Sequence, residues 1–172
     1  MTRSCTCTCG HQKRRFGGRM IHLHLTPEGA AFIARFEGFR ATPYVCPAGK
    51  RTVGFGHVIL PGEFFTTVTR DQALTMLKTD AALNAAPAGR WLNVPLTPYQ
   101  ADALISLAFN VGGFAVRHST LLRKINAGLM TDAAKEFLRW DKIGKAQSRG
   151  LARRREAEKN LFLTGDYGSE QG

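Results

Sequence analysis

The chain has 172 residues, 44% of them hydrophobic and 22% charged. That is one domain's length with an ordinary globular composition, and it excludes a wholly disordered chain. No apolar run reaches the ~18 residues of a membrane-spanning helix, and the basic first 20 residues lack the apolar segment of a secretory signal.

The net charge of +11 is spread unevenly: +5 in residues 1–20, +1 in 21–116, +7 in 117–159 and −2 in the last thirteen. Such a field favours polyanions, including an anionic cell wall or an anionic membrane surface. The signature motifs of nucleic-acid binding are missing, so no nucleic-acid partner is expected.

Residues 1–20 read as a disordered basic extension, without periodicity and with two adjacent glycines. Cys5, Cys7 and Cys9 alternate with Thr, which is not a zinc spacing, and no metal is expected. Gly17-Gly18 must be encoded as GGN-GGN, a purine-rich stretch resembling a ribosome-binding site just before Met20, so translation is expected to begin there.

A single domain follows over 21–172. Thr26-Pro27 predicts a helix start, with Thr as cap and Pro in the first turn. The helix is expected to run to about Glu37, with Ala30, Ile33, Ala34 and Glu37 on one face. A carboxylate that ends an apolar stripe at a helix C-terminus is expected to be desolvated and to feel the negative end of the dipole. Both effects favour its protonated form, as a general acid requires. A solvent-facing Glu at a frayed helix end is the plainer alternative.

Residues 41–62, rich in Gly, Pro, Thr and Val, read as a small hairpin or three-stranded sheet. Turns are expected at Pro47-Ala48-Gly49 and Pro61-Gly62. Capping boxes at Thr69…Gln72 and Thr97…Gln100 open helices of about 70–83 and 98–110. Further helices are expected at about 119–127, 132–141 and 150–163. A small sheet followed by a helical bundle is an α+β fold in two lobes, with the β lobe at about 41–65 and the helical lobe at about 84–166.

The segment RFEGFRATPYVCPAGKRTVGFGH holds Glu37, Cys46, Thr52 and Gly54-Phe55-Gly56-His57. It resembles the motif of the phage-type lysozymes (endolysins) of glycoside hydrolase family 24, the T-even phage lysozyme-like family. That motif has a Glu ending the first helix, Asp or Cys nine residues on, Thr six further, then Gly-x-Gly-His. QADALISLAFNVGGFAVRHSTLL and RWDKIG…GLARRREAEKNLFLTG are similar to later parts of the family, so the likeness covers about residues 25–166.

The resemblance implies a lysozyme-like fold with the active-site cleft between the lobes. It implies an N-acetylmuramidase that cleaves the β-1,4 bond between N-acetylmuramic acid and N-acetylglucosamine in peptidoglycan. Glu37, Cys46 and Thr52 are the implied catalytic residues. Gly54, Gly56, Asn110 and Ser119 are candidate contacts to the glycan, and His57 is a structural residue at the site, bonded to an acid such as Asp80.

Two readings of Cys46 stand: a thiolate acting as nucleophile or water-activating base with help from Lys50 or Arg51, or a spacer beside Glu37 and Thr52. Trp140 and Phe114 read as core rather than sugar platforms. Arg153, Arg154 and Arg155 read as divided between an internal ion pair with Glu158 and surface charge. No cofactor is implied. The expected protein is a monomer made in the host cytoplasm that needs a holin to reach the periplasm. A lytic transglycosylase and a basic membrane-active module without catalysis are the competing functions.

Overall fold

The computed structural model describes residues 21, 23–46 and 49–168. The basic extension, its cysteines and the start at Met20 lie outside the described residues, as do Pro47 and Ala48 of the first expected turn. The fold is α+β, as the sequence pattern predicts.

Helix α1 spans Pro27–Ala34, with Thr26 accepting from the Gly29 amide at its start. It ends three residues before Glu37. Phe36 bonds back to the Ile33 carbonyl at 3.0 Å, tightening the last turn and carrying the chain off the helix axis. Ala30, Ile33 and Ala34 are buried, as their spacing requires, and Glu37 lies just beyond the helix rather than on it.

Strands β1 (Arg40–Val45), β2 (Arg51–Gly54) and β3 (His57–Val58) form one antiparallel sheet in that order. Val45 faces Arg51 and Tyr44 faces Thr52 across the first pair. A tight turn at Phe55-Gly56 joins β2 to β3. At the Pro61-Gly62 turn the Glu63 amide bonds the Leu60 carbonyl at 3.0 Å.

Helix α2 covers Arg70–Gly89, six residues past the expected end. Its small residues Ala81, Ala85 and Ala88 are fully buried, and this packing carries the helix through Asn84 and Pro87, which alone suggest a stop. It packs on β2 and β3 at one end and on α3 (Pro98–Val111) and α4 (Gly113–Arg117) at the other, so one rod serves both parts of the fold.

The capping boxes of α2 and α3 are both formed. Helices α5 (Thr120–Asn126), α6 (Met130–Phe137) and α7 (Arg149–Thr164) complete the bundle. Between α6 and α7, a single 3-10 turn at Leu138–Trp140 and a two-stranded hairpin, β4 (Lys142–Ile143) with β5 (Ala146–Gln147), replace the end of the helix expected over 132–141. Phe114 is not core: it is 66% exposed. Trp140 packs half-buried against the core.

The core is centred on α3, where Ala103, Leu104, Ile105, Leu107 and Ala108 are all inaccessible to water. In its second turn the buried Asp102 joins the segment before α1 to the segment after α7. It accepts from the Thr26 amide at 3.0 Å, from the Thr26 hydroxyl, and from the Tyr167 hydroxyl at 2.7 Å. The approach is so close that a Cβ at Gly29 would stand 2.3 Å from the Asp102 carboxyl carbon, so only glycine fits there. Burial and the Asp102 bond push the Tyr167 phenol up to about 12.

Candidate functional site

A cleft of about 450 Å³ opens between the sheet and the helices, and Glu37, Gly56, His57, Asp80, Asn84 and Asn110 supply its polar lining. Phe55, Leu83 and Phe109 contribute apolar walls. A short polar list against apolar walls is the usual make-up of a small-molecule site.

The Glu37 side chain is 25% exposed, and its Oε1 accepts from Arg154 Nη1 at 2.7 Å. The two are separated by 117 positions in the chain. Arg154 is itself immobilised. Its Nε donates to Glu158 Oε1 at 3.2 Å, its Nη2 points to the Ser106 carbonyl at 3.4 Å, and its guanidinium lies 5.2 Å from the Phe36 ring centre. A planar fork with several fixed donors is the property that makes arginine, rather than lysine, suited to such a clamp. Arg153 is exposed, whereas Arg154 and Arg155 are both buried against Glu158. The ion pair expected for Glu158 is thus made by two of the three arginines, and the bond to Glu37 was not foreseen.

Asn110, the penultimate residue of α3, lines the same cleft. Its Oδ1 accepts from Arg155 Nη2 at 3.0 Å.

His57 forms the opposite side. Nδ1 lies 2.8 Å from Asp80 Oδ2 on α2, and Nε2 lies 3.1 Å from Glu63 Oε2 after the sheet. Only an imidazolium donates to both at once. Burial opposes that charge, but the bonds and charges of Asp80 and Glu63 outweigh it and raise the His57 pKa above its ordinary 6.5. Glu63 also accepts from the Leu60 amide at 2.8 Å. That bond and His57 hold its carboxyl below the usual range. This second carboxylate on His57 had no signal in the sequence.

Cys46 and Thr52 do not line this cleft. They meet each other on the β1–β2 hairpin through one atom: the Lys50 carbonyl accepts from the Cys46 amide at 2.9 Å and from the Thr52 hydroxyl at 3.0 Å. Cys46 is half-buried, and Thr52 is buried. Lys50 and Arg51 are exposed and line a separate groove with Leu60 and Phe64.

Two candidate glycan contacts fall elsewhere. Gly54 is buried, with φ at +67°, and a Cβ there would stand 2.8 Å from that of Ala73. Its close approach is therefore to α2, not to the cleft. Ser119 caps α5, donating to the Val116 carbonyl at 2.6 Å and accepting from the Leu122 amide at 3.1 Å. It borders a different cavity, with Glu136, Arg139 and Trp140. Gly56, with φ at +91° and open space around it, does face the cleft. Among the described residues no group of three or more His, Cys, Asp and Glu is placed to hold a metal ion.

A family model described as Phage lysozyme matches residues 34–158. Over 146 residues the chain is 40% identical to an endolysin of Acyrthosiphon pisum secondary endosymbiont phage 1, covering 81% of this chain and 98% of that protein. Among solved structures, an endolysin from Escherichia coli O157:H7 phage FAHEc1 superposes with a TM-score of 0.77 at 31% identity, covering 86% of this chain and 98% of that one. The muramidase domain of SpmX from Asticaccaulis excentricus gives 0.73 at 33% identity, covering 82% and 99%.

Proposed function

The chain belongs to the phage lysozyme family, and from that premise we propose how its own residues hydrolyse peptidoglycan. The enzyme is a glycoside hydrolase of lysozyme activity, cleaving the β-1,4 bond between N-acetylmuramic acid and N-acetylglucosamine for host lysis.

The observation that carries the residue assignment is the Glu37 carboxyl held in the cleft wall by a buried, fully engaged Arg154. Glycoside cleavage needs a proton at the leaving oxygen and support for the oxocarbenium-like centre or for its attacking water. Glu37 is the proton donor. Arg154 occupies Oε1, so Oε2 is the oxygen assigned to the transferable proton.

Thr52 positions the water. Its hydroxyl proton is committed to the Lys50 carbonyl, leaving lone pairs that can only accept. A water donating to Thr52 would keep its own lone pairs free for the anomeric carbon; Thr52 is buried on the β1–β2 hairpin outside the lining that holds Glu37, so this role rests on the family resemblance. Cys46 shares the Lys50 carbonyl with Thr52 and is assigned to the same step, as a thiolate that draws the proton from that water. Asn110 and Gly56 face the glycan from the cleft lining, and His57 holds the sheet to α2 through Asp80. The endolysin likeness supports action on the cell wall; a monomer, release from the host cytoplasm through a holin, and a basic surface resting on anionic wall or membrane complete the proposal.

The test is mass spectrometry of sugars released from purified Gram-negative peptidoglycan. Products ending in reducing N-acetylmuramic acid are expected from the wild type. A loss of about 10²–10⁴-fold is expected with Glu37→Gln. Anhydro-muramic ends would instead make it a transglycosylase. Cys46→Ser retaining the full rate would remove the thiolate from the mechanism.

A further inference from the structure

Behind the cleft, between α3 and α7, lies a closed set of four charges: Glu37, Arg154, Arg155 and Glu158. Glu158 and Arg155 are wholly inaccessible and Arg154 almost so. Glu158 is the centre. Its Oε1 accepts from the Ser106 hydroxyl at 2.6 Å, from Arg155 Nη2 at 3.1 Å and from Arg154 Nε at 3.2 Å, and its Oε2 lies 3.0 Å from Arg155 Nε. Each arginine then reaches outward to one cleft residue: Arg154 to Glu37 and Arg155 to Asn110.

We infer that Glu158 is a positioning residue for the hydrolysis, a buried anion that anchors both guanidiniums and through them sets the charge felt by Glu37 and the orientation of Asn110. This rests on the reading of Glu37 as the acid.

Three considerations carry it. A buried ion cluster contributes little net stability compared with an apolar filling of the same volume. This one stands directly behind the proposed acid, with both of its arms ending in the cleft. Arginine can only donate, so the Asn110 atom that meets Arg155 must be its oxygen, which fixes the amide with its NH₂ end away from Arg155. Finally, two positive and two negative groups balance. Without Glu158, Glu37 would face two cations with no second anion to offset them.

Burial pushes the Glu158 carboxyl up, opposed by Arg155, Arg154 and Ser106, and it pushes the Arg155 guanidinium down, opposed by Glu158 and Glu37. The four groups are thus coupled across the interface. The other charged groups near Glu37 are His57 and Asp80, which line the cleft and bond each other, and Arg35 on the α1 side, which is taken up by the Tyr167 and Gly168 carbonyls.

The experiment combines the pH profile of kcat on a soluble peptidoglycan glycan oligomer with carbon NMR titration of the Glu37 carboxyl. In Glu158→Gln the cluster has two cations and one anion. The basic limb and the Glu37 midpoint should both move to lower pH by about one unit. In Arg155→Met the balance is reversed, and both should move to higher pH. Reduced activity with both midpoints unmoved, or shifts of the same sign in the two variants, would overturn the inference. Where Glu158→Gln does not fold, Arg155→Met decides alone: an upward shift supports the role and any other result ends it. Undiminished turnover by Glu37→Gln would sink the acid assignment instead, and the NMR midpoints would still show whether Glu158 acts on Glu37.

Discussion

The helical wall of the cleft sets Glu37 and Asn110 through charges withdrawn from water, whereas the sheet wall sets His57 through Asp80 and Glu63, both partly open to water, with Cys46 and Thr52 on the hairpin outside the cleft lining. On the helical side, Arg154, Arg155 and Glu158 are each less than 5% exposed and are bonded across two packed helices. On the sheet side, β2 is four residues long and β3 two, and among the described residues between 40 and 60 the buried apolar side chains are Val53 and Phe55. Its lip carries Leu60 and Phe64 in the open, the latter 90% exposed. The Glu37 carboxyl therefore stands on the rigid half, and Cys46 and Thr52 on the half with less beneath it. A bond broken between two sugars demands a fixed acid, and a thin wall with few buried contacts is the part best able to yield as a long polymer enters.

The sharpest way to break this contrast is to remove an ion from the helical wall. Arg154→Met leaves Glu158 with one cation, Arg155, beside the Ser106 hydroxyl, takes the cation from Glu37, and is expected to cost about 3–5 kcal/mol in denaturant unfolding and to lower turnover. A cost below about 1 kcal/mol would mean that the buried charges do not stiffen this wall.

Smaller, and confined in pH, is the link from the sheet to α2. The His57 pKa is raised in the folded state, so its contribution is full below the unfolded value of 6.5 and is lost as pH rises through the folded value. His57→Asn should thus lower stability by about 1–2 kcal/mol at pH 5 and by progressively less in alkali, read as a narrowing gap between the two Tm-against-pH curves. A gap that widens with pH would contradict the doubly bonded imidazolium.

Next comes a helix cap. Thr97→Ala removes the bond to the Gln100 amide and is expected to cost about 1 kcal/mol with kcat unchanged. The smallest effect belongs to the lip: Phe64→Ser should leave thermal stability within about 0.5 kcal/mol of wild type, because almost none of that ring is covered.

How much of this was legible in the sequence depends on the reach of each interaction. Thr26, Thr69 and Thr97 announce their helices because a cap is a bond across three residues, and all three caps are formed. The apolar stripe leading to Glu37 was equally local, although the helix stops at Ala34 because Phe36 closes a tighter turn on Ile33. The end of α2 was misplaced because its last turns are held by buried alanines on a packed face, a tertiary effect that outweighs Asn84 and Pro87. The β4–β5 hairpin was missed because strands of two residues leave no alternation to detect. The pairing of His57 with Asp80 followed from the motif and chemistry, but Glu63 needed the folded loop. An internal ion pair of Glu158 with one of the arginines 153–155 is expected from the sequence, and Arg154 and Arg155 both make it. That one of them also grips a carboxylate 117 positions away is a property of the assembled bundle alone.

The Asp102 carboxylate, meanwhile, has a bearing on how such a domain travels between proteins. By holding Thr26 with one set of bonds and Tyr167 with another, it clasps the beginning and the end of the folded unit at one point, and Arg35 adds a second clasp to the Gly168 carbonyl. A unit whose termini meet can be spliced into a longer polypeptide, or cut elsewhere and rejoined at the clasp by a short linker, without straining either junction. The same carboxylate that closes the core thus makes the enzyme portable.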